Sequence, residues 1–126
     1  MDYISTNNQS QPVSFKDAVV NGLAEDGGLY MPSRINSLTE RFINEIDKLT
    51  PAEIGLEIAR SFIETEIQPA DLSRIVEETL SFKIPVVEIS DTISTLELFH
   101  GPTLAFKDVG ARFMARCLGH FSKDYD

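Results

Sequence analysis

Few side chains in this sequence could carry covalent chemistry, and the one in an unusual setting is Lys107. It follows the apolar pair Ala105-Phe106 and the tight turn Gly101-Pro102-Thr103, and it stands where a helix begins. A lysine is disfavoured at the positive end of a helix, and Asp108 offsets that only in part. A positive local field and partial desolvation both favour a neutral amine. That form attacks an aldehyde to give a Schiff base. On residue types alone the simpler reading, an ordinary exposed lysine, stays open.

The other reactive groups read as structural. Cys117 lies on the apolar face of the last helix and is expected to be a buried thiol. His120, near that helix's C-terminus, is expected to cap its carbonyls. Arg112, just over one turn beyond Lys107, either faces an anion or sits solvated. His100 and Thr103 could reach a phosphate, or could satisfy turn backbone. Asp26-Gly27-Gly28 is too short for a phosphate-binding fingerprint and reads as a turn. Two histidines and one cysteine show no metal-ligand spacing.

Elements that would position Lys107 can be read from spacing and caps. Ser14 and Asp17 open a helix over 14–24, with Phe15, Ala18, Val19 and Leu23 on one face. Residues 39–47 form a second, with Phe42, Ile43 and Ile46 inward. Thr50, Pro51 and Glu53 form a capping box for a third over 51–65. A fourth spans 70–81 on Leu72, Ile75, Val76 and Thr79. Leu29-Tyr30-Met31, Val86–Ile89 and Leu96–His100 read as extended. The last helix, 108–121, carries a broad apolar face of Val109, Phe113, Met114, Cys117, Leu118 and Phe121. Strand, loop and helix make two thirds of a strand–helix–strand unit, so the chain reads as a piece of something larger. Its fold class is α+β, mostly helical, and the last helix's stripe is expected to be partly uncovered.

Net charge is −9, with 16 acids and 7 bases in residues 1–95 against 4 of each in 96–126. No basic stripe exists to neutralise phosphates, which argues against nucleic acid as a partner. No apolar run reaches the roughly 20 residues of a membrane span. A single cysteine fits a reducing compartment, and the N-terminus shows neither a basic start nor an apolar block, so cytoplasm is expected.

The run from Leu96 to Asp108, continuing Val109-Gly110-Ala111-Arg112-Phe113-Met114, resembles the cofactor-lysine segment of bacterial and fungal threonine synthases. Tyr3-Ile4-Ser5-Thr6-Asn7, Val13-Ser14-Phe15, Gly22-Leu23-Ala24 and Asp26–Pro32 extend the resemblance over the whole chain, in the family's order. The resemblance implies the N-terminal part of an α/β, fold-type II enzyme dependent on pyridoxal phosphate (PLP). Residues 1–95 would be its helical N-terminal domain and 96–126 the start of its catalytic domain. Lys107 would hold PLP as a Schiff base and act in catalysis, with Phe106, Asp108, His100 and Thr103 around the cofactor. The implied reaction is a lyase step converting O-phospho-L-homoserine and water to L-threonine and phosphate. The phosphate cradle would lie beyond residue 126, leaving the fragment inactive and without PLP, and able to self-associate through 109–121. Rival readings are another PLP enzyme of the same fold group and a non-catalytic acidic interaction domain.

Overall fold

The structure, a computed structural model, describes residues 1–122. Strand β1 (Tyr3–Ser5) is followed by α1 (Phe15–Asn21), β2 (Tyr30–Pro32) and α2 (Glu40–Glu45) with a 3₁₀ turn (Ile46–Lys48). Helices α3 (Pro51–Ile63) and α4 (Pro69–Thr79), hairpin strands β3 (Val86–Ser90) and β4 (Ile93–Leu96), and α5 (Lys107–Phe121) complete it. The expected helices are all present, on a mixed and mostly helical framework.

Helix starts follow from the caps. Ser14 Oγ accepts the Asp17 N–H at 3.0 Å, and Glu66 receives the Phe15 and Lys16 N–H groups, both at 2.9 Å. Three orphan amides of α1 thus find partners, one set local and the other brought from 50 residues away. Gly22, at φ 73°, stops α1 short of residue 24 and leaves Leu23 outside the helix and exposed. The expected capping box of α3 is formed, with Glu53 accepting the Thr50 N–H at 2.7 Å.

The core lies where α1, α3, α4 and α5 meet. Ile63 is 0% exposed, and Ile67, Leu72, Ile75 and Cys117 are likewise fully buried. Gly55 lets α3 and α4 approach closely, because a Cβ there would lie 2.7 Å from Leu80 Cδ1. A mid-helix glycine costs about 1 kcal/mol in propensity, which the tighter packing offsets. Burial also settles Cys117, whose thiol it pushes up to about 11, so the residue is an inert part of the core as expected.

Four expectations need correction. The Phe42–Ile46 face does not turn inward: α2 has no buried residue and Ile43 is 50% exposed, since α2 packs mainly with its own 3₁₀ turn. No strand runs over residues 97–100; β4 ends at Leu96, opposite Val86, and Glu97 N–H closes the hairpin on Pro85 O at 2.9 Å. What precedes α5 is therefore an antiparallel hairpin and a loop. His120 does not cap carbonyls; its Nδ1 is buried without a hydrogen bond, 4.0 Å from Asp71 Oδ2. Arg112 is neither solvated nor free for an anion. Its guanidinium donates to Thr79 O at 3.3 Å, to Glu78 O and to Ser81 Oγ at 2.8 Å, closing the C-terminus of α4. Strand β1 was not foreseen. It pairs antiparallel with β2, and Tyr3 and Ser5 turn to the buried side.

The outer stripe of α5 is partly covered, as expected: Val109 and Phe113 are half-buried, and Met114 and Leu118 are exposed.

Ile63→Ala should cost about 2–5 kcal/mol in urea unfolding, and Ile43→Ala less than about 1 kcal/mol, because only the first opens a cavity in the core. A second expectation concerns acid. Asp26 accepts from Ser5 Oγ at 2.6 Å and from the Gln9 and Gly28 N–H groups, and these bonds hold its carboxyl down at about 2. A depressed carboxyl contributes stability above its unfolded pKa of about 4 and loses it as pH falls through the folded value. The difference in unfolding midpoint between wild type and Asp26→Asn should therefore shrink as pH drops from about 4 to about 2.

Candidate functional site

The segment between the hairpin and α5 makes a compact turn around one buried carboxylate. Asp108, the second residue of α5, is only 3% exposed. Its Oδ1 accepts the Thr103 hydroxyl at 2.6 Å, and its Oδ2 accepts the Thr103 N–H at 2.9 Å. The Thr103 hydroxyl is the largest influence holding this carboxyl below its ordinary range. The Thr103 and Ala105 amides and the Arg112 charge add to it, and burial opposes it. Gly101 lies directly against the carboxylate: a Cβ there would stand 2.4 Å from Asp108 Oδ2, so no side chain fits without rearrangement.

Two further backbone bonds shape the turn, Leu104 N–H to Gly101 O and Asp108 N–H to Ala105 O, both 3.0 Å. Leu104 takes φ 58° and is 75% exposed. A left-handed conformation costs a non-glycine residue roughly 1–2 kcal/mol, and an exposed leucine recovers nothing by burial. The Asp108 clamp is what offsets that cost.

Phe106, at the N-cap position, provides no side-chain cap and is exposed. Lys107 is the first residue of α5; its side chain is exposed and makes no hydrogen bond or ion pair among the described residues. The desolvation considered from sequence is thus not supplied by residues 1–122. His100 bonds through Nε2 to Glu97 Oε2 at 2.6 Å and stacks on Phe99 with centroids 4.7 Å apart. Thr103 spends both its N–H and its hydroxyl on Asp108. The structure therefore gathers Gly101, Thr103, Asp108 and Lys107 into one turn, with His100 paired to Glu97 just before it. Glu97 was not singled out from sequence, although its spacing from His100 is the only signal that could have marked it.

A primary amine that is exposed and unpartnered fits covalent attachment of an aldehyde cofactor. Within the same turn the amides of Thr103, Leu104 and Asp108 are already committed to partners inside it. Elsewhere, an apolar groove of ≈ 460 Å³ runs between α3, α4 and α5, bordered by Phe15, Phe62 and Phe113. Its one hydroxyl of note, on Tyr3, is pushed up to about 12, by burial first and then by Glu66, Glu64 and Cys117. Among the described residues no cluster of His, Cys, Asp or Glu could hold a metal ion, and no helix is long and apolar enough to cross a membrane.

Comparison with known proteins places this geometry. The chain is 38% identical over 125 residues to the threonine synthase of Pseudomonas aeruginosa, covering 95% of this chain and 27% of that protein. The crystal structure of threonine synthase from Escherichia coli superimposes with a TM-score of 0.92 at 37% identity, over 98% of this chain and 29% of that one. The PLP-bound threonine synthase from Brucella melitensis does so with a TM-score of 0.93 at 36% identity, over 99% of this chain and 28% of that one. The chain thus spans a little over a quarter of the length of the relatives it matches. A family model described as the threonine synthase N terminus matches residues 2–80. That match takes in helices α1 to α4, and with it the chain belongs to the threonine synthase family.

Proposed function

We propose that this chain is the N-terminal part of a PLP-dependent threonine synthase, converting O-phospho-L-homoserine and water to L-threonine and phosphate, with Lys107 as its cofactor lysine. The observation that carries the reading is the placement of Lys107. A free, exposed amine opens α5 in a chain that superimposes almost completely on threonine synthases, one of them PLP-bound. When bound, PLP supplies an electron sink for loss of the substrate's α proton and γ phosphate. The chain's own part is to present the Lys107 amine, which would hold the cofactor and would move the substrate's α proton. Asp108, Thr103, Phe106 and His100 form its surroundings.

Residues 1–95 serve in this reading as the helical N-terminal domain and residues 96–126 as the opening of the catalytic domain. In this reading the contacts for the cofactor phosphate come from the remainder of the longer enzyme. The half-covered stripe of α5 is then the surface through which the 126-residue chain by itself would self-associate. Cytoplasm is the compartment we assign, in keeping with a lone cysteine that is buried and free.

Borohydride reduction of the full-length enzyme treated with PLP, followed by peptide mapping, should place the label on Lys107. Label on Lys16, Lys48, Lys83 or Lys123 with none on Lys107 would defeat the assignment. Lys107→Ala in the same enzyme should lower kcat by at least about 10²–10⁴-fold. The 126-residue chain alone should lose PLP absorbance on dialysis and release no phosphate from substrate, because an unsupported Schiff base hydrolyses readily in water. Retention of stoichiometric PLP would contradict the assignment of the phosphate contacts to the rest of the enzyme.

A further inference from the structure

We propose that Asp108 is a positioning residue for Lys107, acting through Thr103 and the turn that starts at Gly101; this rests on the reading of Lys107 as the cofactor lysine. Three observations converge on it. First, α5 begins without a side-chain cap, so no capping side chain at the helix start fixes where Lys107 leaves the backbone. Second, the only buried carboxylate next to Lys107 reaches back five residues to bind the hydroxyl and the N–H of Thr103, at 2.6 and 2.9 Å. Third, the residue between them in the chain, Leu104, is held at φ 58° with its side chain in solvent. An apolar side chain would not adopt that conformation for its own burial, and strained backbone of this kind gathers at functional sites.

The geometry gives each partner a distinct duty. Asp108 holds Thr103, the Leu104 N–H holds Gly101 O, and Gly101 leaves room for the carboxylate because it has no side chain. The far end of the clamp is secured as well. Arg112, whose charge favours the Asp108 carboxylate, is bound to the carbonyls at the end of α4. Lys107 is therefore held between a closed turn on one side and a helix tied to the core on the other. Releasing the turn frees the amine's origin to shift. A misplacement of about 1 Å costs on the order of 10²-fold in rate where a reacting group must be aligned.

The test uses the full-length, PLP-loaded enzyme with Thr103→Val, Thr103→Ser and Asp108→Asn. The Thr103 side chain is exposed, so its variants keep the core intact even where Asp108→Asn impairs folding. Thr103→Val should lower kcat by about 10-fold or more while KM stays within about 3-fold. It should also move the pH midpoint of the bound cofactor's visible absorbance, and Thr103→Ser should restore both. In the cofactor-free protein, amide hydrogen exchange at Thr103 should accelerate in Asp108→Asn. Unchanged kcat and absorbance profile in Thr103→Val and Asp108→Asn, with borohydride label still on Lys107, would overturn the positioning role and leave the Lys107 reading standing. Label on a different lysine in the wild type would overturn both.

Discussion

The seating of α5 on α4 is the contact on which the remaining structure depends. Cys117 and Phe121 carry the apolar side of it, buried in one cluster with Ile75 and Val76. Each large side chain removed from water contributes about 1.5–3 kcal/mol, so this seam supplies the free energy. Polar contacts supply the register. Arg112 binds the last carbonyls of α4, its guanidinium lies 5.6 Å over the Phe82 ring, and Arg116 meets Glu78 at 2.9 Å. The partly exposed Arg116–Glu78 pair adds at most about 1 kcal/mol, yet it allows one rotation of the helix and penalises others. Lys107 stands ten residues before Cys117, about 15 Å along the axis, and a continuous helix carries the setting of the core to that point.

Part of the acid content has a structural explanation in the same terms. Several carboxylates are spent on the backbone: Glu66 on the start of α1, Glu53 on the start of α3, Asp26 on the β1–β2 side, and Asp108 on the turn before α5. Asp26 and Asp108 use one device twice. Each carboxylate accepts a hydroxyl and an amide beside a glycine too crowded for a side chain, Gly28 in one case and Gly101 in the other. Charge-assisted bonds of this kind are worth about twice a neutral one, which suits them to holding irregular backbone.

What could be read from the amino-acid order was whatever depends on neighbours a few residues apart. Ser14, Thr50, Pro51 and Pro69 start helices because a cap or a pre-set φ acts locally, and the apolar periods of α3 and α4 name their buried faces. Lys107 at a helix start was legible for the same reason. Periodicity overreached at α2 and at residues 97–100, where a pattern exists but no surface receives it.

Tertiary structure decided everything that needs two distant segments. Glu66 as a second cap for α1, Arg112 as a cap for α4, the β1–β2 pair and the orphaned Nδ1 of His120 all depend on groups brought together across 25 to 50 residues or more, and no local pattern records them. The Asp108 clamp falls between the two cases. Its partners are five residues apart, but the bond forms only because Leu104 turns left-handed and Gly101 makes room. That a lysine opens α5 was thus legible in the sequence, from helix start and residue type. The closed turn before it was decided by packing, because only a folded core can hold a strained turn closed against its own entropy.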